Sequence, residues 1–286
     1  MLLVFDGMNI IYRGYFASPK TFHKRFPTNG IRASIGIMLS VIRAYKPTHV
    51  AVVFDSQLPN FRHRLYPEYK GTRDKDNEDV KNIRKQIQPL RDILQASGIR
   101  VIRWGGEEGD DIIGSISSQY SLHLKKKVII ESMDKDFGQL LVDKRIRLSR
   151  RGDLYDHKNI ENVLGVKPKH IVDYLSLMDD KVDNIKGVSK VGPKTAAKWL
   201  NDFNDIETIV ANVHKGVVGA NLQKAWANGS LALNRKLVKI KTDIPRAVDY
   251  DFNRLKIAKP NHEQVSKLCK QYGLQGLTSQ IMTELK

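Results

Sequence analysis

Short apolar runs with strand character alternate with segments of helical spacing along the first half of this chain, and this alternation constrains the fold more than any other feature. The strand-like runs are residues 2–5, 50–54, 99–102 and 127–130. The segments that carry apolar side chains at helical spacing are residues 31–45, 80–94 and 112–122. Such alternation is typical of a parallel sheet covered on both faces. We therefore predict an α/β fold with a mainly parallel central sheet flanked by helices.

The pattern changes near the middle of the chain. From about residue 158 one helical segment follows another, and only residues 237–240 form a weak strand-like run. We place a domain boundary near Asp156, which predicts an α/β core over residues 1–156 and a helix-rich half over residues 157–286. With 286 residues, the chain is long enough to bury a sizeable core in such an arrangement.

Basic residues far outnumber acidic ones in this sequence. Lys and Arg total 48 against 31 Asp and Glu, which gives a formal net charge of +17 at pH 7. This excess is expected of a protein whose partner is a polyanion, and nucleic acid is the leading candidate. A basic surface kept for solubility is the alternative, but excess acid serves solubility better than excess base. Composition alone does not separate a binding protein from an enzyme.

Two broad classes of protein are excluded by what the sequence contains. No apolar run approaches the ~20 residues that a membrane helix needs, and the first apolar stretch ends at Asp6. The single cysteine, Cys269, cannot form an internal disulfide or a cage of thiolate metal ligands. We expect a cytoplasmic location, without a signal peptide and without membrane contact.

Acidic residues follow the predicted strands at the points where the strands end. Asp6 and Asp55 come directly after the first two strand-like runs. Asp134 and Asp136 lie just past the fourth. The acids that stand where another predicted helix begins are Glu108, Asp110 and Asp111. Because the carboxyl ends of parallel strands meet at one edge of a sheet, where ligands bind in open α/β folds, we expect these acids to converge. Helix capping accounts for one or two of them but not for the set.

Convergence of so many acids has a physical cost that points to metal ions. Two unit charges ~4 Å apart repel by ~4 kcal/mol at an effective dielectric constant of about 20, so close carboxylates either take up protons or bind cations. With one cysteine and scattered histidines, the donors are oxygen atoms, which suit Mg²⁺ or Mn²⁺ better than zinc. In a basic protein, two such ions suit phosphodiester hydrolysis, one activating water and one stabilising the leaving oxygen. The residues thus predict a hydrolytic nuclease.

Six short blocks of the sequence occur in an order that resembles the 5′-nuclease family. The blocks are residues 4–7, 53–55, 69–73, 106–111, 134–136 and 180–192. That family contains the 5′→3′ exonuclease domain of bacterial DNA polymerase I, phage 5′ exonucleases and flap endonucleases. The resemblance covers roughly residues 1–245, and the whole chain is similar to stand-alone members of the family.

The resemblance implies roles for individual residues. The acids that match the ligands of a first Mg²⁺ are Asp55, Glu108, Asp110 and Asp111, with Asp6 nearby. Those that match the surroundings of a second Mg²⁺ are Asp134, Asp136, Asp180 and Asp183. Without the family, Asp180 and Asp183 are a weak signal, because a loop rich in Asp and Asn is more often a turn. Lys70 and Arg73 match basic residues that contact the scissile phosphate. Tyr12 and Arg13 match positions that meet the substrate next to the cut.

The resemblance also implies a helical arch over the active site, at about residues 69–98. The basic side chains of this stretch, through which a single 5′ strand would pass, are Arg73, Lys75, Lys81, Arg84, Lys85 and Arg91. The alternative is a long surface helix with a charged outer face.

A helix-hairpin-helix element that binds duplex DNA is expected at about residues 168–202. Its hairpin would lie at residues 187–194, where glycines let the backbone approach a phosphate. The residues assigned to DNA binding there are Gly187, Lys190, Gly192 and Lys194. In the family this loop often also holds a monovalent cation such as K⁺. Here Lys190 stands where Gly is usual and Asp179 replaces a Gly before the acid pair, which counts against a K⁺ site.

Taken together, these features predict a structure-specific 5′ nuclease. It would remove nucleotides or short flaps from 5′ ends of DNA, including RNA primers paired to DNA, as a monomer that uses two Mg²⁺ ions, with Mn²⁺ as a substitute. A metal-dependent RNase of the related PIN type is one alternative, which the arch and the helix-rich half disfavour. A non-catalytic structure-specific DNA-binding protein is the other, which the complete acid set disfavours.

Overall fold

The computed structural model describes residues 1–74 and 76–285, and the predicted arch residue Lys75 lies outside them. The described strands are β1 (Leu2–Asp6), β2 (Phe22–His23), β3 (Phe26–Pro27), β4 (His49–Val53), β5 (Arg100–Ile102), β6 (Val128–Glu131), β7 (Ile146–Arg150) and β8 (Asp153–Tyr155). Six of them form one sheet in the order β5-β4-β1-β6-β7-β8, while β2 and β3 form a separate hairpin.

Helices surround this sheet and make up most of the second half of the chain. The described α-helices are α1 (Gly7–Ala17), α2 (Asn29–Tyr45), α3 (Phe61–Leu65), α4 (Glu78–Ala96), α5 (Gly109–Leu124), α6 (Glu161–Leu164), α7 (Ile171–Leu177), α8 (Pro193–Phe203), α9 (Ile206–Asn212), α10 (Gly216–Ala227), α11 (Ser230–Val238), α12 (Pro245–Val248), α13 (His262–Gln271) and α14 (Gly276–Glu284). Short 3-10 helices cover Lys135–Val142, Pro168–His170 and Phe252–Leu255. Over the residues described, no helix is both long and apolar enough to cross a membrane.

The central sheet is parallel except at one edge. Strand β1 lies between β4 and β6 and runs parallel to both, and only β8 is antiparallel to its neighbour β7. The strand order reverses at β1, because the chain moves from β1 outward to β4 and β5 and then back to the other side for β6. Ligand-binding crevices of open α/β sheets lie at such a reversal, beyond the carboxyl ends of the strands. The predicted fold class is confirmed.

Alternate side chains of the central strand β1 belong to two apolar clusters, one on each face of the sheet. Leu2 and Val4 belong to the first cluster, which also contains the buried side of α5 and most of the later helices. Leu3 and Phe5 belong to the second cluster, which contains residues of α1, α2, α4, α13 and α14. Such double burial explains why these strands are continuous apolar runs without polar alternation.

The predicted domain boundary near Asp156 does not coincide with a break in packing. Ile113 and Ile185 share the first cluster. Ile35 and Ile281 share the second, although they come from opposite ends of the chain. The division into residues 1–156 and 157–286 therefore stays a prediction about the sequence.

Two local predictions were wrong. Residues 237–240 are not a strand, since α11 extends to Val238 and the Ile240 N–H donates to Gln139 Oε1 instead of a neighbouring strand (2.9 Å). The first helix of the predicted helix-hairpin-helix element, which was expected to begin at residue 168, is broken into a 3-10 turn and α7. Strands β7 and β8 were missed, because the alternation of basic and apolar residues in β7 is short and β8 has only three residues.

Most of the predicted arch is a packed surface helix. In α4, Ile83, Leu90 and Ile93 are fully buried in the second cluster, so residues 78–96 do not stand free of the molecule. The outer face of this helix carries the exposed side chains of Lys81, Arg84 and Lys85. The alternative, a surface helix with a charged outer face, describes these residues better.

Candidate functional site

Acids at the carboxyl edge of the sheet are held by backbone and hydroxyl donors. Asp6 caps α1, where the Asn9 N–H donates to its Oδ1 (2.9 Å), while the Ser132 hydroxyl donates to its Oδ2 (2.8 Å). Asp134 caps the 3-10 helix that follows β6, where the Asp136 N–H donates to its Oδ1 (2.8 Å). Capping thus fixes both carboxylates at neighbouring strand ends.

The remaining strand-end acid, Asp55, meets the first turn of α5. The Gly109 N–H donates to Asp55 Oδ1 over 2.6 Å. A Cβ atom at Gly109 would lie 2.8 Å from the same oxygen, so the close approach depends on glycine at that position. Asp110 follows directly in the same helical turn. This contact places acids from β4 and α5 next to each other.

Like charges raise the pKa values of the acids at this edge. Burial raises the pKa of Asp6 to about 7, and the charges of Asp55 and Asp134 contribute to the increase. Burial also raises the pKa of Asp110 well above its usual value, helped by the charges of Asp134, Asp6 and Asp55. The same two causes raise the pKa of Asp136, where Asp134 is the largest charge. The acids are therefore close enough to repel one another through a poorly solvated region.

The acids of the 180–183 loop belong to the same electrostatic group. Burial raises the pKa of Asp134, and the charges of Asp183 and Asp180 add to the effect. Asp180 holds the loop in shape, since its Oδ1 accepts from the Val182 N–H (2.8 Å) and from the Asp183 N–H (3.1 Å). The members of this acidic group are Asp6, Asp55, Asp110, Asp134, Asp136, Asp180 and Asp183.

The acidic group fits divalent cations by its chemistry, although it is not a closed cage. Within residues 1–74 and 76–285, no three Asp, Glu, His or Cys side chains converge closely enough to form a ready-made metal site. Electrostatic repulsion acts over longer distances than ligation does, so acids that raise each other's pKa need not yet share a ligand position. Oxygen donors with an excess of negative charge suit Mg²⁺ or Mn²⁺, which neutralise that charge on binding.

Glu108 lies at the border of the acidic group, where it is neutralised by cations. Its carboxylate accepts from Lys70 Nζ (3.0 Å), Asn60 Nδ2 (2.7 Å) and the Tyr69 hydroxyl (3.1 Å). Burial alone would raise the pKa of Glu108, but Lys70 and Arg62 more than offset it and lower the pKa below its usual value. Glu108 is therefore ionised and already hydrogen-bonded on both oxygens.

The basic residues predicted to contact the scissile phosphate do lie beside the acids. Arg73 Nη2 donates to Asp183 Oδ1 over 2.7 Å, and Lys70 Nζ is 3.9 Å from Asp183 Oδ2. Lys70 adopts a left-handed backbone conformation with φ of 56°, and its N–H donates to the Asp183 carbonyl (3.0 Å). The Tyr69 hydroxyl is also 2.8 Å from Asp183 Oδ2, so its single hydrogen lies between the carboxylates of Glu108 and Asp183.

Asp111 lies apart from the acidic group in this structure, and its assignment as a ligand of the first ion stays a prediction. Its side chain is fully buried, and Arg62 donates to it with both terminal nitrogens (2.6 and 3.0 Å). The Lys241 N–H donates to the same carboxylate (2.9 Å). Arg62 also donates to the carbonyls of Leu237 and Lys239, so this ion pair ties α3 and α5 to the end of α11.

Tyr12 and Arg13 lie on α1, which begins at Asp6. Tyr12 is half-buried, with its ring centroid 6.4 Å from that of Phe16. Arg13 Nη1 donates to Glu131 Oε1 over 2.9 Å.

Sequence patterns did not predict a role for Glu131 or Arg62, or the position of Tyr69 between two carboxylates. For Glu131 a signal existed, because an acid ends an apolar strand there as it does at Asp6.

The predicted DNA-binding hairpin has the tight backbone expected of it. The Gly187 N–H donates to Asp179 Oδ1 (2.9 Å), and a Cβ atom at Gly187 would lie 2.2 Å from the carbonyl carbon of Met178. Lys190 has a φ of 67°, the left-handed region that favours glycine. Gly192 caps α8 in an open position, and Lys194 is exposed in the first turn of that helix.

Two family models cover most of the chain. The one described as "5'-3' exonuclease, N-terminal resolvase-like domain" matches residues 1–166, and the one described as "5'-3' exonuclease, C-terminal SAM fold" matches residues 166–263. The chain belongs to the 5′-3′ exonuclease family. Family membership confirms the predicted resemblance and decides for a 5′ nuclease over both alternatives.

Relatives of this 5′-3′ exonuclease include stand-alone enzymes and parts of polymerases. The 5′-3′ exonuclease of Aquifex aeolicus is 31% identical over 98% of this chain and 94% of its own length. The DNA polymerase I of Bacillus subtilis is also 31% identical over 98% of this chain, but the match covers 32% of that polymerase. This exonuclease therefore matches a full stand-alone relative and about a third of the polymerase.

Solved structures share the fold of this 5′-3′ exonuclease. A structure of the T5 5′-exonuclease with bound zinc has a TM-score of 0.73 and 21% identity, and the match covers 100% of this chain and 99% of that one. The bacteriophage T5 D15 flap endonuclease, in a complex with DNA and metal ions, has a TM-score of 0.69 at 21% identity, over 99% of this chain and 98% of that one. At this identity, the match establishes the fold.

Proposed function

We propose that this 5′-3′ exonuclease hydrolyses phosphodiester bonds at 5′ ends and 5′ flaps of DNA with the help of two Mg²⁺ ions, for which Mn²⁺ can substitute. One observation carries the proposal: seven acids lie together at the carboxyl edge of the sheet, where burial and the neighbouring charges raise the pKa of four of them, and this group borders directly on Lys70 and Arg73. A cluster of acids without bound cations would repel a phosphate. The same cluster with bound divalent ions, and with Lys70 and Arg73 beside it, would attract one.

The acids divide between the two ions by their position in the fold. The residues proposed to hold the first ion are Asp6, Asp55, Glu108 and Asp110. Those proposed around the second are Asp134, Asp136, Asp180 and Asp183. When bound, the ions lower the pKa of a water molecule and stabilise the charge on the leaving oxygen. Glu108 would have to exchange a hydrogen bond from Lys70 or Tyr69 for a metal bond, so binding there frees a donor.

Lys70 and Arg73 would act on the phosphate. Both are paired with acids, Lys70 with Glu108 and Arg73 with Asp183. With those acids engaged by divalent ions, Lys70 and Arg73 would be free to donate to a phosphate oxygen that becomes more negative in the transition state. Arg73 offers a planar fork that suits two phosphate oxygens, and Lys70 a compact charge.

Contacts farther along the substrate would position the DNA. We assign duplex binding to the hairpin residues Gly187, Lys190, Gly192 and Lys194, and contacts next to the cut to Tyr12 and Arg13. The outer face of α4, with Lys81, Arg84 and Lys85, supplies backbone attraction without base readout. The complex of the T5 flap endonuclease with DNA supports a DNA substrate for the shared fold. RNA primers paired to DNA fit the same contacts, and we expect a cytoplasmic monomer without K⁺ at Lys190.

The test is a cleavage assay on a duplex with a 5′ flap, labelled at either end in separate reactions, with Mg²⁺ or with EDTA. We expect short products from the 5′-labelled strand, with Mg²⁺ only. A covalently closed duplex circle is the control and should be cut slowly, because it offers no 5′ end. Removal of nucleotides from 3′ ends, cleavage in EDTA or rapid nicking of the closed circle would each contradict the proposal.

A further inference from the structure

A buried acid outside the acidic group stands at the carboxyl end of the central sheet. Glu131 is the last residue of β6 and pairs in register with Phe5 of β1. Because in-register neighbours point to the same face of a sheet, its side chain lies on the face that α1 covers. The preceding residues of β6 are all apolar and buried, so an apolar side chain would suit this position for packing. The Glu131 side chain is nevertheless only 2% exposed.

The hydrogen bonding of Glu131 is half complete. Its Oε1 accepts from Arg13 Nη1 over 2.9 Å. Its Oε2 is buried and has no hydrogen-bond partner among the residues that the structure describes. Taking a carboxylate out of water is costly unless it is paired, so Glu131 depends on the single cation that reaches it. The position therefore tolerates the acid only together with Arg13.

Arg13 keeps most of its hydrogen-bonding capacity. A guanidinium group has five N–H donors, and the bond to Glu131 is the one that Arg13 forms in the described part of the chain. The Arg13 side chain is 17% exposed, so solvent or a ligand can reach it. Arg13 lies on α1, the helix that Asp6 caps, and its partner Glu131 directly precedes Ser132, which donates to Asp6 Oδ2. An anion that binds at this edge can accept from the remaining donors.

The partner of Arg13 differs from those of the other two cations. Lys70 and Arg73 are paired with Glu108 and Asp183, which we propose as metal ligands. Their positions must change when ions bind. Glu131 is outside that set, so the bond to Arg13 remains when the ions bind. A cation without its own partner next to several unpaired carboxylates would be drawn onto one of them.

We propose that Glu131 is a positioning residue: it holds Arg13 at the edge of the acidic group, away from the metal ligands, so that the free N–H donors of Arg13 meet a phosphate of the DNA. This inference rests on the proposed function, since it assumes a phosphate substrate at this edge. Glu131 itself touches neither the ions nor the substrate and acts through Arg13.

The test compares E131Q, R13A and the double variant with the native enzyme in single-turnover cleavage of the 5′-flap duplex. We expect E131Q to slow cleavage at saturating DNA about tenfold, because Arg13 is then held loosely. The Mg²⁺ concentration for half-maximal rate should change less than twofold. Adding E131Q to R13A should change the rate less than twofold, since the acid has no other route to the substrate. E131L, which suits the buried strand, repeats the test if E131Q does not fold.

The matched control is E284Q, which removes the acid of another ion pair with an arginine, Arg43, far along the chain and outside the site. It should cleave at the native rate. A native rate for both E131Q and E131L, or a loss that persists in the R13A background, would overturn the inference. An increased Mg²⁺ requirement in E131Q would also overturn it, because Glu131 would then be a metal ligand. If the native enzyme and E284Q do not cleave at all, the proposed function itself fails.

Discussion

Asp110 and Asp111 are neighbours in the chain, but α5 directs their side chains into different surroundings. Asp110 lies among like charges and has a raised pKa, first through burial and then through Asp134 and Asp6. Asp111 forms a bidentate ion pair with Arg62 and accepts a hydrogen bond from the Lys241 backbone N–H. One carboxylate is therefore free to bind a cation, and the other already has one.

Replacing each of these two acids by asparagine should separate activity from stability. D110N should abolish most cleavage and leave the free energy of unfolding unchanged or slightly higher, because a repelling charge is removed. D111N should lower the free energy of unfolding by about 3 kcal/mol, because Arg62 loses its buried partner. Urea unfolding and single-turnover cleavage measure the two effects. Equal stability losses in both variants would show that the roles are not divided in this way.

Lys70 is expected to act in the chemical step more than in binding. K70M should lower the single-turnover rate about 100-fold at saturating DNA, in the range seen when one donor to a developing anion is removed, with little change in DNA affinity. Glu108 keeps Asn60 and Arg62 as partners, so the fold should survive. Lys144, exposed at the amino end of β7, is the control as K144M. If affinity and rate decrease equally in K70M, Lys70 is an ordinary phosphate contact.

At this scale the sequence predicts residue types better than residue roles. Six of the nine proposed acids follow strands or stand in the 180–183 loop, and the family pattern was sufficient to select them. The difference between Asp110 and Asp111 depends on Arg62, which comes 49 positions earlier and has no motif of its own. Glu131 was missed because the strand was ended one residue too early, at Ile130.

The hairpin before α8 is shaped by its backbone, and its two glycines differ in how much they are needed. A Cβ at Gly187 would lie 2.2 Å from the Met178 carbonyl carbon, whereas a Cβ at Gly192 would have no atom within 4 Å. A clash with backbone atoms cannot be relieved by moving a side chain. Alanine at position 187 must therefore displace the loop, whereas alanine at position 192 need not.

G187A should therefore lower the free energy of unfolding by about 3 kcal/mol and weaken duplex binding, because the loop is displaced. G192A should lower the free energy of unfolding by only about 0.5 kcal/mol, the difference between Gly and Ala at a helix cap. Thermal unfolding and fluorescence anisotropy with a labelled duplex measure both. Unchanged duplex affinity in a folded G187A variant would argue against this loop as a contact with DNA.

Strands that are apolar along their whole length could be predicted from the sequence. The packing of a helix with one buried apolar side and one exposed basic side could not. Residues 128–130 and 50–53 are apolar throughout because helices cover both faces, so β6 and β4 were recognised. Helix α4 has a buried apolar side and a basic outer side, and the sequence alone allowed an arch or a packed helix. Packing against α1, α2 and α13 decides for the helix, and α13 comes from the far end of the chain.

Over the whole molecule, charge is distributed unevenly. Seven acids concentrate at one edge of the sheet, although the chain as a whole carries +17. The surface outside the acidic group is consequently more basic than the average of the chain. Such a surface attracts DNA phosphates along a broad front while the acidic edge admits cations.

Affinity for DNA should accordingly depend strongly on salt. With about four phosphates neutralised, the dissociation constant of a 5′-flap duplex in EDTA should increase roughly 100-fold between 50 and 200 mM salt. The slope should be the same for K⁺ and Na⁺, because Lys190 supplies a fixed charge at the hairpin. Fluorescence anisotropy titrations measure this slope. A flat salt response, or marked selectivity for K⁺, would contradict the proposed mode of binding.

We propose that the acids at the carboxyl edge of the sheet hold the ions that cut DNA, while the basic surface binds it. Single-turnover cleavage and affinity for one 5′-flap duplex, both measured in Mg²⁺ for the native enzyme and for D136N, separate these two roles. D249N, which removes an exposed acid outside the group, is the control. We expect D136N to lose cleavage by about 1,000-fold or more and to bind the duplex as tightly as the native enzyme, or more tightly. Cleavage by D136N at the native rate would contradict the account.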